Sequence, residues 1–288
     1  MAFTECESIA AKYREGGEVS DEGRDPPLAR LETAHLRQSP DFIIVGAQRG
    51  GTTSLYRYLT DHPEIGGAFR KEVHYFDRYY DRGIDWYLAH FPKRGEFSVV
   101  GEASPYYLMH PAAPGRIREA VPQAKFVALL RNPIDRAYSH YHMKVSRGLE
   151  TLAFAEAIAG EPKRLGVSND PLHPAWRHHS YLARGRYAEQ FHRWFEIFPR
   201  EQMLVLKSEE LYLEPERILH QAQGFLGLQP RSPGVFKVFH EAAYPAMDPE
   251  LRRQLTGYFA PYNQQLYELL GVDLGWEDDE PHRRAINV

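Results

Sequence analysis

One cysteine, Cys6, occurs among the 288 residues. That excludes an intramolecular disulfide and a cysteine-rich zinc site, and a reducing compartment is the natural setting. Long apolar runs are missing too: no stretch approaches the roughly 20 residues of a membrane span, and the N-terminus has no apolar core of the signal-peptide kind. These absences lead us to expect a cytoplasmic protein without a membrane span. Charge of one sign is not in excess either. Against 35 Lys and Arg stand 39 Asp and Glu, a formal net charge of -4, which calls for neither nucleic acid nor a membrane surface as partner. No cluster of His, Cys and carboxylates has metal-ligand spacing, so no metal is expected. Aromatic residues, by contrast, are plentiful at 13%, with 18 Tyr. Core filling explains most of them, although amphipathic rings also suit sugar or aromatic acceptors.

The length suits one α/β domain with elaborations, or at most two small domains. We read residues 1–39 as a loosely packed polar lead-in, 40–277 as the domain and 278–288 as a polar tail. The stretch that organises the domain is Phe42 to Leu55, FIIVGAQRGGTTSL. Its first four residues form an apolar, β-branched run of the kind a strand buried on both faces needs. Gly46, Gly50 and Gly51 then turn the backbone, and Thr52, Thr53 and Ser54 open a helix running to about Thr60. Backbone N–H groups and the positive end of the helix dipole converge there on an anion site, most often one for phosphate. The loop differs from the G-x-x-x-x-G-K-[ST] of nucleotide hydrolases, because Thr52 holds the lysine position and the loop's cation is Arg49. ATP or GTP hydrolysis is therefore disfavoured.

His62-Pro63 stops the helix, and Gly66-Gly67 continue the turn. Lys71 to Asp77, KEVHYFD, alternates as an extended segment that would place Glu72, His74 and Phe76 on one face. Glu72 can take a proton from an acceptor hydroxyl with His74 assisting. Taken alone, the heptad reads first as a surface glutamate and a satisfied histidine. A second buried strand, Lys125 to Leu130, ends in RNPIDRAYSHYHMK. Arg131 stands at its carboxyl end, where open α/β sheets put their ligands, and Ser139 lies two turns into the helix that Pro133 begins. A guanidinium and a hydroxyl so placed can hold a terminal phosphate, or Arg131 can be a surface or capping residue. Farther on, Glu161 to Trp176 reads as a long irregular insertion, Tyr181 to Phe198 as a helix, Met203 to Leu206 as a third strand, and Ser208 to Gly227 as one capped helix.

Together these motifs resemble the sulfotransferases that use 3′-phosphoadenosine 5′-phosphosulfate (PAPS), in particular the heparan sulfate and carbohydrate sulfotransferases and their soluble bacterial relatives. The glycine loop with Arg49 looks like the 5′-phosphosulfate loop, E-V-H-[FY]-F-D like the segment with the catalytic glutamate, and R-[ND]-P-x-[DE]-R-x-x-S like the 3′-phosphate segment. The resemblance implies a single P-loop-like α/β domain with a mainly parallel sheet and no metal. It implies Glu72, Arg49 and His74 as catalytic residues. Arg49, Gly50, Gly51, Thr52, Thr53, Ser54, Arg131, Ser139 and Tyr181 would bind the donor, and Lys71, Asp77 and Tyr187 the acceptor side. PAPS would be the co-substrate, 3′-phosphoadenosine 5′-phosphate (PAP) the product, and a saccharide, glycolipid or small hydroxylated metabolite the acceptor.

Two departures stand out. Where the family has E-K-T-P-x-Y, this chain has Glu102, Ala103, Ser104, Pro105 and Tyr106, so the lysine is missing and Arg49 or Lys71 would replace it. Where heparan-acting relatives have K-G-R-x-x-P, this chain has His240 to Pro245 without the two cations, although Arg252 and Arg253 stand nearby. Arg70, Lys71, Lys163, Arg164, Arg184 and Arg186 are candidates for an anionic acceptor groove, with dispersed surface charge an equal explanation. Two alternatives remain open: a nucleotide-binding pseudoenzyme and an ATP-dependent phosphoryl transferase.

Overall fold

The computed structural model describes residues 24–237 and 244–277. Cys6, most of the lead-in, His240 to Ala243 of the altered loop and the 278–288 tail lie outside the described residues. Five strands form one sheet: β1 (Phe42–Gly46), β2 (Ile65–Gly67), β3 (Val99–Ala103), β4 (Lys125–Leu130) and β5 (Met203–Lys207), in the order β2-β3-β1-β4-β5. Every pairing is parallel, with Phe42 opposite Gly101 on one side and Lys125 on the other. Residues of β1 alternate between two cores. Ile43 and Val45 pack with Phe126, Phe91 and Trp194 on one face, while Phe42 and Ile44 pack with Leu55, Leu59 and Ile218 on the other. A strand with no polar face is what a parallel sheet covered on both sides requires.

The helices are α1 (Leu28–Glu32), α2 (Thr52–Thr60), α3 (Ile84–Leu88), α4 (Ala113–Ala120), α5 (Pro133–Ser146), α6 (Phe154–Ala159), α7 (Glu161–Leu165), α8 (Pro174–His179), α9 (Tyr187–Phe195), α10 (Ser208–Leu213), α11 (Pro215–Leu226) and α12 (Pro249–Leu270). None of the described helices is long and apolar enough to cross a membrane. Local chemistry sets several boundaries. Asn132 caps α5 by accepting the Ile134 N–H, with Pro133 at the first position. Asp248 caps α12 in the same way, and Gly227 and Gly271 end α11 and α12 in the left-handed conformation.

Several expectations are corrected here. Gly66 and Gly67 are not turn residues but most of the edge strand β2. A Cβ on Gly67 would come within 2.7 Å of the Tyr56 hydroxyl, so the strand is glycine-built because α2 lies against it. The insertion is not irregular, since it carries α7 and α8. Ser208 to Gly227 is two helices, because Pro215 cannot continue the first and instead starts α11. Nor is the lead-in loose from Arg24 onward. Arg30 donates to the carbonyls of Ala89 and Phe91, both at 2.7 Å, and Arg37, which is buried, donates to Phe91 as well.

Chain order places the site. From β1 the chain moves to β3 on one side and to β4 on the other, so a crevice opens between the carboxyl ends of β1 and β4.

Candidate functional site

The β1–α2 loop fills that crevice. Ala47 donates its N–H to the Leu129 carbonyl at 2.9 Å, and the Gly50 carbonyl accepts the Ser208 hydroxyl at 2.8 Å. A Cβ on Gly50 would lie 2.3 Å from the Leu129 carbonyl oxygen, which excludes any side chain. Arg49 and Gly51 both have left-handed backbone, with φ of 73° and 89°. The Gly50 N–H is spent inside the loop on the Ala47 carbonyl at 2.9 Å. The N–H groups the loop presents at the start of α2 are therefore those from Gly51 into the first turn, Thr52 to Ser54, which helix geometry leaves without intrahelical acceptors. Thr52 and Ser54 are buried and Thr53 half-buried.

Arg49 turns toward α5. Its Nε donates to the Ser139 hydroxyl at 3.0 Å, and its backbone carbonyl accepts from Arg131 at 3.4 Å. The Arg131 guanidinium thus lies against the Arg49 backbone, and burial together with the nearby charge of Arg131 lowers the Arg49 pKa. Among the described residues neither forms an ion pair with a carboxylate. Two cations so placed favour an anion beside them. Two tyrosines that sequence reasoning missed border them. Tyr244 lies beside Arg131, where against burial its charge interaction helps raise the Arg131 pKa, and stacks on His142 with ring centres 4.5 Å apart, and Tyr212 reaches Gly51 from α10. Neither lies in a pattern that could have announced it.

Tyr181 and Tyr187 are not brought to the open crevice. Tyr181 is fully buried outside α9, its hydroxyl donating to Glu150 at 2.9 Å. The Tyr187 hydroxyl donates to the Arg131 carbonyl at 2.9 Å and so braces the arginine from behind. Of the candidate groove cations, Arg164 is paired with Glu150 at 2.5 Å, Arg186 with Glu189 at 3.4 Å, and Arg184 is buried against Gln48. Arg252 is held by Asp135 at 2.7 Å.

Lys71 to Asp77 is not a strand. His74 has φ of 57°, and the segment folds back so that the Glu72 carboxylate meets the His74 ring at 3.0 Å while Phe76 points into the core. On the other side of the ring Asp77 accepts from Nδ1 at 2.8 Å. Only an imidazolium can donate from both nitrogens. Lys71 adds a second cation, 3.4 Å from Glu72, and Arg24 donates to the Glu72 carbonyl at 3.0 Å. Against the cost of burial, the His74 hydrogen bond and Lys71 pull Glu72 down to about 2. Asp77 and Glu72, also against burial, lift His74 to about 10. Ala103, at the missing-lysine position, is buried in the apolar layer against Ile44 and Leu55. Of its two candidate substitutes, Lys71 sits beside Glu72, whereas Arg49 is directed at Ser139.

The signs of these shifts define a pH window. Glu72 stabilises the fold above its unfolded pKa of 4.5 and loses that contribution as pH falls toward 2; His74 contributes fully below 6.5 and loses it as pH rises toward 10. The pair is strongest between those limits. In a histidine NMR titration from about pH 5.5 to 8.5, where ordinary imidazoles change charge, the His74 ring is expected to stay protonated, and Asp77→Asn to bring its titration into that range. A wild-type His74 midpoint near 6.5 would refute the ion triad.

A family model for the sulfotransferase domain matches residues 39–248. The chain is 29% identical over 280 residues to heparan sulfate glucosamine 3-O-sulfotransferase 3A1 of Mus musculus, covering 89% of this chain and 69% of the relative. It is 27% identical over 314 residues to the membrane-associated sulfotransferase kil1 of Dictyostelium discoideum, covering 83% of this chain and 67% of the relative. Among solved structures, the sulfotransferase from Alicyclobacillus acidocaldarius superposes with a TM-score of 0.71 at 35% identity, covering 84% of this chain and 100% of that one.

Proposed function

The chain belongs to the sulfotransferase family, and from that premise we propose that it moves a sulfuryl group from PAPS to a hydroxyl of a saccharide or small-molecule acceptor. The observation that carries this reading is the Arg49–Ser139 hydrogen bond at 3.0 Å. It joins the glycine-loop anion site to the Arg131 anion site, so one continuous cationic crevice is offered to a nucleotide with phosphates at two ends.

N–H groups of Gly51 to Ser54 hold the 5′-phosphosulfate in this proposal, and Arg131, Ser139 and Arg49 the 3′-phosphate. Glu72 accepts the proton of the acceptor hydroxyl. As that oxygen attacks, its bond to sulfur forms, the bond from sulfur to the bridging oxygen of PAPS breaks, and PAP leaves with the electron pair. Glu72 enters ionised, as a base must, but its depressed pKa makes it a weak one. The proton therefore moves late, once the new S–O bond has made the hydroxyl acidic. His74 and Asp77 hold the carboxylate in place, and Lys71 with the loop N–H groups faces the charge that builds on the bridging oxygen. A cation or donor so aimed contributes on the order of 3 kcal/mol. The similarity to a heparan sulfate glucosamine 3-O-sulfotransferase supports a sugar hydroxyl as acceptor. Cytoplasmic residence stays part of the proposal, supported by the single cysteine.

Calorimetric titration with PAP, 5′-AMP and magnesium ATP tests the donor assignment. We expect PAP to bind at least about 100-fold more tightly than AMP, a difference of 2.7 kcal/mol by the usual conversion. Equal affinities, or a preference for magnesium ATP, would overturn it in favour of a generic nucleotide site.

A further inference from the structure

Glu102 lies in β3 with no exposed surface, and no step above uses it. Three hydroxyls converge on its carboxylate: Ser104 at 2.7 Å, Tyr87 at 3.0 Å and Tyr107 at 3.1 Å. Two of them also reach the catalytic segment. The Ser104 hydroxyl accepts the His74 N–H at 3.1 Å, and the Tyr107 hydroxyl accepts the Tyr75 N–H at 2.8 Å and the Phe76 N–H at 3.4 Å.

A hydroxyl has one proton and lone pairs to accept with. An ionised carboxylate only accepts, so it draws the protons of Ser104 and Tyr107 toward itself and leaves their lone pairs for the backbone N–H groups of residues 74 to 76. The donor direction of the whole network follows from the charge on one group. Those N–H groups belong to the segment whose fold, with His74 at positive φ, brings Glu72, His74 and Asp77 together. We propose that Glu102 is a positioning residue for sulfuryl transfer, fixing the Glu72–His74–Asp77 segment through Ser104 and Tyr107. The proposal rests on Glu72 being the base.

Burial pushes Glu102 up to about 7 despite its three hydroxyl donors. The groups facing it are Tyr87 from α3, Tyr56 from α2, Tyr107, and from the catalytic segment His74 as well as Asp77, which faces Tyr107. Its sheet neighbours β1 and β2 bring no titratable side chain. Below about pH 7 Glu102 gains a proton and becomes a donor itself. One hydroxyl must then turn, and the backbone loses its fixed acceptor. Activity should therefore fall on the acid side with a midpoint near that value, although Glu72 itself stays ionised to far lower pH.

Glu102→Gln puts a permanent amide donor in the same space. A small misplacement of a reacting group costs on the order of 100-fold, so we expect kcat to drop by about that factor with Kd for PAP unchanged. We also expect the acid limb of the pH–rate profile to disappear, and hydrogen exchange to speed up at the amides of residues 74 to 76 alone. A role in stability only would lower the melting temperature and leave the profile shape intact. Ser104→Ala and Tyr107→Phe each cut one arm and should reproduce part of the kcat loss and of the local exchange. They carry the test by the same readouts if Glu102→Gln does not fold. Wild-type kcat and an unaltered profile in the folded variants would overturn the proposal. Comparison with Glu72→Gln separates the premises: an inactive Glu72→Gln beside a fully active Glu102→Gln sinks only the positioning role, whereas an active Glu72→Gln sinks the base assignment beneath it.

Discussion

Replacing Glu72 by glutamine is expected to lower kcat by about a thousandfold, the middle of the range for loss of a general base, while PAP binds as before. Glutamine keeps the shape of the side chain and can still accept from His74, so the segment keeps its fold. What it loses is the charge that can take the acceptor proton. Donor affinity should be spared because the contacts proposed for the 5′ and 3′ groups come from the glycine loop, Arg131 and Ser139, none of which touches the Glu72 carboxylate. The His74 imidazole, left with Asp77 as its one carboxylate, should titrate at lower pH than in the wild type. Single-turnover transfer from labelled PAPS, measured beside PAP calorimetry, separates the two effects. A kcat within about tenfold of wild type would leave too small a loss for a general base and would move the proton to another acceptor.

For Arg131→Ala the expected loss is in binding and depends on the ligand. A charge-assisted contact contributes about 1.5–3 kcal/mol, so PAP affinity should fall about 100-fold. AMP, which lacks the 3′-phosphate, should bind variant and wild type alike. Arg131 is well placed for such selectivity, since Tyr187 braces its carbonyl and its Nη1 donates to the Arg49 carbonyl at 3.4 Å. Equal losses for PAP and AMP would show that the arginine shapes the crevice in general. No loss for PAP would remove Arg131 from the donor site and with it the two-ended reading of the crevice.

How much of this was legible in the sequence differs from element to element, for physical reasons. β1 and β4 could be read because a strand covered on both faces is a continuous apolar run, and α5 because Asn132 and Pro133 mark its start. β2 could not, because three residues with two glycines carry no period and the close approach of Tyr56 that demands glycine comes from another element. Glu72 and His74 were correctly paired, but by strand alternation. The contact instead comes from a turn held by Ser104 and Tyr107, which are distant in sequence. Reading Tyr187 as part of a helix does not show where its hydroxyl ends, since the Arg131 carbonyl is a tertiary partner. The use of the Gly50 N–H within its own loop depends on backbone torsions that residue identity does not fix.

The fastenings of the β1–α2 loop have a kinetic meaning. Ala47 is tied to β4, Gly50 to Ser208 of α10, and the space beside Gly50 is closed by the Leu129 carbonyl. A cradle tied at two points and hemmed in at a third contact is ordered by folding itself, so an anion captured there need not organise it and little conformational entropy is left to lose. Association is then set by diffusion and by the pull of neighbouring positive charge, and residence time becomes the quantity through which substitutions around the crevice express themselves.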